Sequence, residues 1–273
     1  VWDIKGTDTK ILLDAREYYP RNYDDQWRWR WFEKPFNTYL CKKYLKRCDK
    51  VLTVSDGLAQ EYEQEFGVRP EVIMSMPDYR ALRPVPASRD DIKLIYHGLV
   101  GASRKTEIMI EMMNHVDERF QLDLMLMPRE DSYFHQIVSM TESRRNVRII
   151  PPVAMNEIVS FINRYDIGLF LVPPTNFNLK YTLPNKFFEF IQARLAIAIG
   201  PSIEMKKLVE KYDCGVVSSD FDPRSLAEEL NKLTVEDIMK YKENSHKAAG
   251  ELNAEVNKNR ILRIVDELTD GKR

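Results

Sequence analysis

The sequence is most easily read first by what it lacks. No apolar run approaches the roughly 20 residues that a membrane helix needs, and no signal peptide is visible. Cysteine is scarce and odd in number: Cys41, Cys48 and Cys214 have no metal-like spacing and read as reduced thiols of a cytoplasmic protein. There is no charge excess of either sign. A formal net charge of −1 argues against nucleic-acid binding as the main activity. The histidines His97, His115, His135 and His246 lie far apart without metal-ligand spacing, so no metal site is expected. No nucleophile-elbow motif anchors a serine triad. The glycines Gly98 and Gly101 do not give the G-x-G-x-x-G spacing of a dehydrogenase. Internal repeats, low-complexity tracts and sustained heptads are also missing.

What remains is an ordinary globular composition, 44% hydrophobic and 30% charged over 273 residues, enough for one or two domains with a real core. From Ile92 onward short runs rich in Val, Ile and Leu alternate with helical patterns. The predicted strands are Ile92–Tyr96, Leu122–Leu126, Val147–Ile150, Ile167–Val172, Ala196–Ile199 and Gly215–Ser218. The helices between them are expected at Thr106–Val116, Tyr133–Thr141, Asn156–Arg164, Asn185–Arg194, Ile203–Lys211 and Arg224–Leu233. Strands of this composition suit a parallel sheet buried on both faces, so these units amount to one complete doubly wound α/β domain. Upstream the pattern yields only about half as many units: Lys10–Ala15, a helix within Pro35–Arg47, Val51–Val54, a helix from Asp56 to Phe66, and Glu71–Ser75. A proline-bearing stretch, Met76–Asp91, reads as the linker. The expected division is 1–87 for a partial Rossmann-like domain with linker, and 88–273 for a complete one carrying the C-terminal helices. A chain that starts at Val1 with half a domain is expected to be a piece of something longer.

The stretch DIGLFLVPPTNFNLKYTLPNKFFE, Asp166 to Glu189, is the most informative. An apolar strand empties into a Pro/Asn-rich loop. The loop feeds a helix whose first turn carries Asn185 and Lys186 and whose next turn carries Glu189. Chemistry at the carboxyl end of a strand, followed by a helix N-terminus, is how open α/β sheets hold phosphorylated ligands. The expected roles are backbone amides and Lys186 on a diphosphate, with Glu189 accepting hydrogen bonds from ribose hydroxyls. A second constellation runs from Tyr96 to Lys105. A strand is expected to end at His97, with Gly98 and Gly101 allowing a tight turn into a helix near Arg104. Arg104 and Lys105 add two cations for an anion. His97 reads equally as a contact to the ligand or as a structural histidine.

These residues, in this order, resemble the glycosyltransferases of the GT-B fold, and within them the retaining family 4 enzymes. The resemblance implies two Rossmann-like domains and transfer of a sugar from a nucleotide-sugar donor to a glycan or lipid-linked acceptor, the chemistry of polysaccharide assembly. It implies no cofactor, because the nucleotide sugar is itself the substrate, and no essential metal. The diphosphate grip corresponds to Gly98 through Lys105, the base-binding strand end to Ile150-Pro151-Pro152-Val153, and the second of the family's paired glutamates to Glu189. Val153 and Asn185 join the donor site on the same ground. On the acceptor side, Asp14 to Pro20 and Val54 to Gly57 carry the likeness, with Arg16 where the family has a histidine, followed by Glu17; these two are the catalytic candidates. The first of the paired glutamates falls on Tyr181, and Leu99 replaces a basic residue after Gly98. A catalytically silent nucleotide-sugar-binding subunit is the alternative that these departures leave open. A sugar-nucleotide epimerase on the same fold would need acid/base groups that have no evident place.

Two further stretches have competing readings. Asp220-Phe221-Asp222 resembles a metal-binding Asp-x-Asp motif, but Asp222 precedes Pro223, and N-capping explains it better. In the segment 26–50, Arg28, Arg30, Lys34, Lys42, Lys43, Lys46, Arg47 and Lys50 outnumber Glu33 and Asp49, among Trp27, Trp29, Trp31 and Phe32. A helix and loop packing on a Rossmann sheet, partly against the absent half-domain, is the preferred explanation. Peripheral contact with the inner face of a membrane is the other.

Overall fold

The computed structural model describes residues 9–127 and 131–269; the outer ends of the two expected domains, 1–8 and 270–273, lie outside it. Its strands are β1 (Leu12–Asp14), β2 (Lys50–Thr53), β3 (Glu71–Val72), β4 (Ile92–Leu99), β5 (Phe120–Met127), β6 (Val147–Ile150), β7 (Ile167–Phe170), β8 (Ala196–Ile199) and β9 (Gly215–Val217). The first helices are α1 (Lys34–Tyr44), α2 (Asp56–Phe66), α3 (Thr106–Met112), α4 (Ser132–Glu142), α5 (Ile158–Ile162) and α6 (Phe177–Lys180). They are followed by α7 (Asn185–Gln192), α8 (Ile203–Tyr212), α9 (Pro223–Asn231), α10 (Val235–Ala249) and α11 (Ala254–Thr269). Packing divides the chain into two units. One comprises residues up to Ser75, Pro174–Leu183 and the chain from Glu255; the other comprises Met76–Pro173 and Pro184–Ala254.

The first unit is built on a parallel sheet of order β1-β2-β3. Its core gathers Ala15, Tyr18, Cys41, Leu45, Val51, Leu58, Tyr62, Phe66 and Phe177. Helix α2 ends where Gly67 adopts φ +66°, a left-handed cap that costs glycine little. The stretch 174–183 contributes Phe177, whose ring lies 5.1 Å from that of Tyr18 and beneath the Arg21 guanidinium. Tyr181 packs on Gly57, and a Cβ added there would come within 2.0 Å of the tyrosine ring. Helix α11 closes the unit: the Asn257 amide donates to the Met74 carbonyl, and Lys50 pairs with Glu267 at 3.4 Å. The packing therefore groups three stretches differently from the expected division at residue 87: residues 76–87 go with the second unit, and 174–183 and the chain from Glu255 go with the first. Residues 174–183 and the last helix supply hydrophobic and polar partners that the three short strands lack.

The second unit is a parallel sheet of order β6-β5-β4-β7-β8-β9. Counted from β4, this is the doubly wound order 3-2-1-4-5-6, whose direction reverses between β4 and β7. All residues of β7 and β8 are buried, as central parallel strands require. Gly168 in β7 leaves room for the Phe190 ring of α7, which would stand 2.3 Å from a Cβ at that position. The expected linker is not loose. The Arg80 amide donates to Gln192, and the buried Arg194 guanidinium donates to the Arg80 carbonyl. Asp222 caps α9 by accepting from the Arg224 amide, and Asp220 accepts from the Asp222 amide, so both carboxylates serve the local turn.

Candidate functional site

The switch point between β4 and β7 places the carboxyl end of β4 beside the start of α7. Strand β4 runs two residues beyond the expected end at His97, because Gly98 pairs with Leu126 and Leu99 with Met127 on β5. Gly98 is therefore part of the strand, not a turn residue, although its φ of +132° is open only to glycine without strain. Its bare α-carbon faces a lysine: a Cβ here would stand 2.8 Å from Lys186 Nζ.

Lys186 occupies the first turn of α7, after Pro184, whose missing N–H suits a helix start. Its ammonium lies 4.0 Å from the centroid of the Tyr96 ring, within β4, and 5.7 Å from that of Phe170, at the end of β7. It forms no ion pair among the described residues. Burial lowers its pKa; the Tyr96 hydroxyl and the Glu189 charge oppose this, and the nearby Arg104 charge adds to it. A desolvated lysine whose charge Glu189 only partly offsets can receive an anion.

One turn further along α7, Glu189 points back at β4, with Oε2 3.4 Å from His97 Nε2. This is not an ion pair. Burial, with the Lys186 charge as the second cause, pushes the His97 pKa down to about 3, so the imidazole is neutral near pH 7. Its Nε2 is buried without a hydrogen-bond partner, while the ring stands edge-on to Phe190 with centroids 5.3 Å apart. Burial also raises the Glu189 pKa, against the pull of Lys186. The switch point thus brings together a lysine, a carboxylate and a neutral histidine whose Nε2 has no hydrogen-bond partner. This can take an anion on Lys186 and hydroxyls on Glu189 and His97.

The connection after β4 is less regular than expected. Gly101 is extended, Ala102–Arg104 form one 3-10 turn, Lys105 is left-handed at φ 49°, and the α-helix begins at Thr106. Arg104 is half-buried and acts on Lys186. Lys105 is exposed and lies 3.7 Å from Glu107, so the two expected cations stand in different surroundings. Val153 is half-buried in the loop after β6, and Asn185 is exposed at the start of α7. In the first unit, Arg16 is exposed and pairs with Asp14 at 2.9 Å, which raises its pKa. Glu17 is exposed, its carbonyl accepting from the Tyr62 hydroxyl. Sequence reasoning missed the rings of Tyr96 and Phe170 as the seat of Lys186.

Neither a family model nor a curated protein matches the sequence. Solved structures do match the fold. A S. aureus TarM variant crystallised with fondaparinux, alpha-GlcNAc-glycerol and UDP superposes at a TM-score of 0.74 and 8% identity, over 96% of this chain and 52% of that one. HepE from Anabaena, in complex with UDP, gives 0.77 and 11% over 94% of this chain and 72% of its own. WaaG, a glycosyltransferase involved in lipopolysaccharide biosynthesis, gives 0.60 and 16%, over 90% and 69%. The chain spans about half the length of the TarM structures it matches. The fold is the α/β fold of the GT-B glycosyltransferases.

Proposed function

We propose that the protein is a glycosyltransferase that transfers a sugar from a nucleotide-sugar donor to a glycan or lipid-linked acceptor, with the donor held by the second unit. The observation that carries this reading is Lys186, which lies against Gly98 at the switch point of a doubly wound sheet and forms no ion pair among the described residues. In the proposed complex Lys186 and Arg104 hold the diphosphate with the first amides of α7, and Glu189 accepts from the ribose diol. Lys105 and Asn185 line the phosphate side, and Val153 touches the base. As the donor bond breaks, negative charge grows on the leaving diphosphate, where the cations and amides stabilise it. Arg16 and Glu17 remain the acceptor-side candidates. Retention of configuration, independence of metal and a cytoplasmic location belong to the same proposal. UDP bound in the TarM and HepE structures supports a nucleoside diphosphate as the ligand class.

The test is thermal unfolding with UDP, GDP and their sugar conjugates, since a ligand that binds only the folded state raises stability by mass action. Stabilisation by at least one nucleoside diphosphate, lost in Lys186→Ala, is the expected result. A folded protein indifferent to all of them overturns the reading. One observation favours a silent binding subunit instead: Tyr181, standing where the resemblance places the first glutamate, is committed to packing on Gly57. A transfer assay with candidate acceptors separates the two, because the silent subunit binds donor and releases no glycoside.

A further inference from the structure

Helix α7 carries Lys186 and Glu189 near its start and is followed at its far end by Arg194, which is left-handed at φ 64° and wholly buried. Carbonyl groups take up the arginine charge. Nη1 donates to Ile191 and Gln192 at the end of α7, and Nη2 donates to Arg80 at 2.6 Å. A cation that caps the last carbonyls of a helix explains this much. Its Nε aims a further N–H at Nδ1 of His246, 2.9 Å away in the last turn of α10.

The other nitrogen of that ring faces a second arginine. Nη1 of Arg83 stands 3.0 Å from His246 Nε2. Both guanidinium groups can only donate, and a neutral imidazole has one acceptor nitrogen. Burial decides which arginine is served. An unmet donor on buried Arg194 costs far more than one on exposed Arg83, so Nδ1 accepts from Arg194 and Nε2 carries the proton. Arg83 and His246 then aim N–H at N–H. Protonating the ring would remove its remaining acceptor; burial and the charges of Arg194 and Arg83 hold its pKa below the ordinary value, against Glu243 on the same helix. The chain keeps the two donors together, because Asn163 Nδ2 donates to the carbonyls of both Arg83 and Ala193. Among the described residues none of Arg80, Arg83, Arg194 and His246 forms an ion pair. An oxyanion seated between Arg83 and His246 answers the converging donors and the unpaired charge together.

We propose that Arg83 and His246, backed by Arg194, form a binding site for a phosphate-class oxyanion, distinct from the donor site at the other end of α7. All of its residues belong to the second unit, and none is part of the proposed diphosphate grip. The test follows the Hε1 proton resonance of His246 by NMR, assigned by its disappearance in His246→Gln. The chain is titrated with inorganic phosphate, and with chloride at equal ionic strength. Phosphate should shift the resonance saturably and raise the pKa of His246, because an oxyanion favours the imidazolium; chloride should do neither. Arg83→Gln should weaken the phosphate response at least about tenfold, the loss of a charge-assisted contact. Its far-UV dichroism should match the parent's, since Arg83 is exposed. Lys186→Ala should leave the phosphate response of His246 intact, so this site and the donor site can fail separately. No response in the parent overturns the proposal, as do an equal response to chloride, an undiminished response in Arg83→Gln, or one abolished by Lys186→Ala.

Discussion

Gly98, Lys186, Glu189 and His97 form a set in which each residue's state depends on the others. Gly98→Ala has two consequences that separate experimentally. Holding alanine at a φ of +132° should destabilise the protein by about 1–3 kcal/mol in urea unfolding. The clash at 2.8 Å is with the mobile end of Lys186, so it costs little stability but moves the ammonium and should weaken UDP binding as well. Glu189→Ala should weaken binding of UDP or GDP roughly 10- to 150-fold by calorimetry, the loss of charge-assisted hydrogen bonds worth about 1.5–3 kcal/mol. Unaltered affinity in the folded variant would remove Glu189 from the site. His97 gives a pH signature. Its folded pKa of about 3 lies below the ordinary 6.5, so between these values the unfolded chain binds more protons and stability falls as pH falls. Glu189, with a raised pKa, works in the opposite direction above its ordinary value. The parent should therefore lose about 2 kcal/mol more than His97→Asn between pH 7 and pH 5. Parallel pH profiles for the two proteins would show that His97 is not buried neutral. The lysine and glutamate of this set were legible in the sequence as polar residues with no use in a buried helix. The neutrality of His97 was not, because it comes from burial and from the charge of Lys186.

At the scale of elements, the connection from β4 to α3 and the first turn of α7 share the work of binding an anion. Arg104 acts on Lys186, whereas Lys105 is exposed and close to Glu107. Arg104→Ala should therefore weaken UDP binding more than Lys105→Ala, with both variants close to the parent for uridine, which lacks the phosphates. Equal losses for UDP and uridine would mean general damage to the unit. EDTA should leave UDP binding unchanged, since Asp220 and Asp222 are occupied with the turn before α9. Most strands and helices lie where their apolar period predicts, because burial on one stripe or on both faces is written locally. The misses share a cause. β4 extends to Leu99 because β5 offers partners, and α6 forms in the expected loop because the Asn176 side chain caps the Leu179 amide and Phe177 finds the core of the first unit.

On the scale of the whole molecule, the first unit completes itself with chain that is distant in sequence. Its three strands are short, and α11 brings Asn257 to Met74 and Glu267 to Lys50. Ile264 of α11 is buried, so Ile264→Ala should cost about 2–4 kcal/mol. Trp29 belongs to this unit and packs on Tyr23, so its fluorescence should report the loss, while UDP binding in the second unit persists. A variant that unfolds at the parent's urea concentration would show that α11 is not needed there.

By itself the sequence determined the α/β class, the rhythm of strands and helices, and the candidates Lys186, Glu189 and Gly98. Hydrophobic period, proline and glycine act over a few residues, and a charged pair at a helix start has few other uses. Tertiary structure alone decided that β4 and β7 are neighbours, which is what brings Gly98 to Lys186 and His97 to Glu189. It alone decided that residues 174–183 and α11 belong with the first unit, and that Trp31 and Phe32 face water while Trp29 does not. Each of these is a pairing across long stretches of chain or a choice of helix face. Such choices are made by where apolar area and hydrogen-bond partners become available on folding, and no local pattern records that.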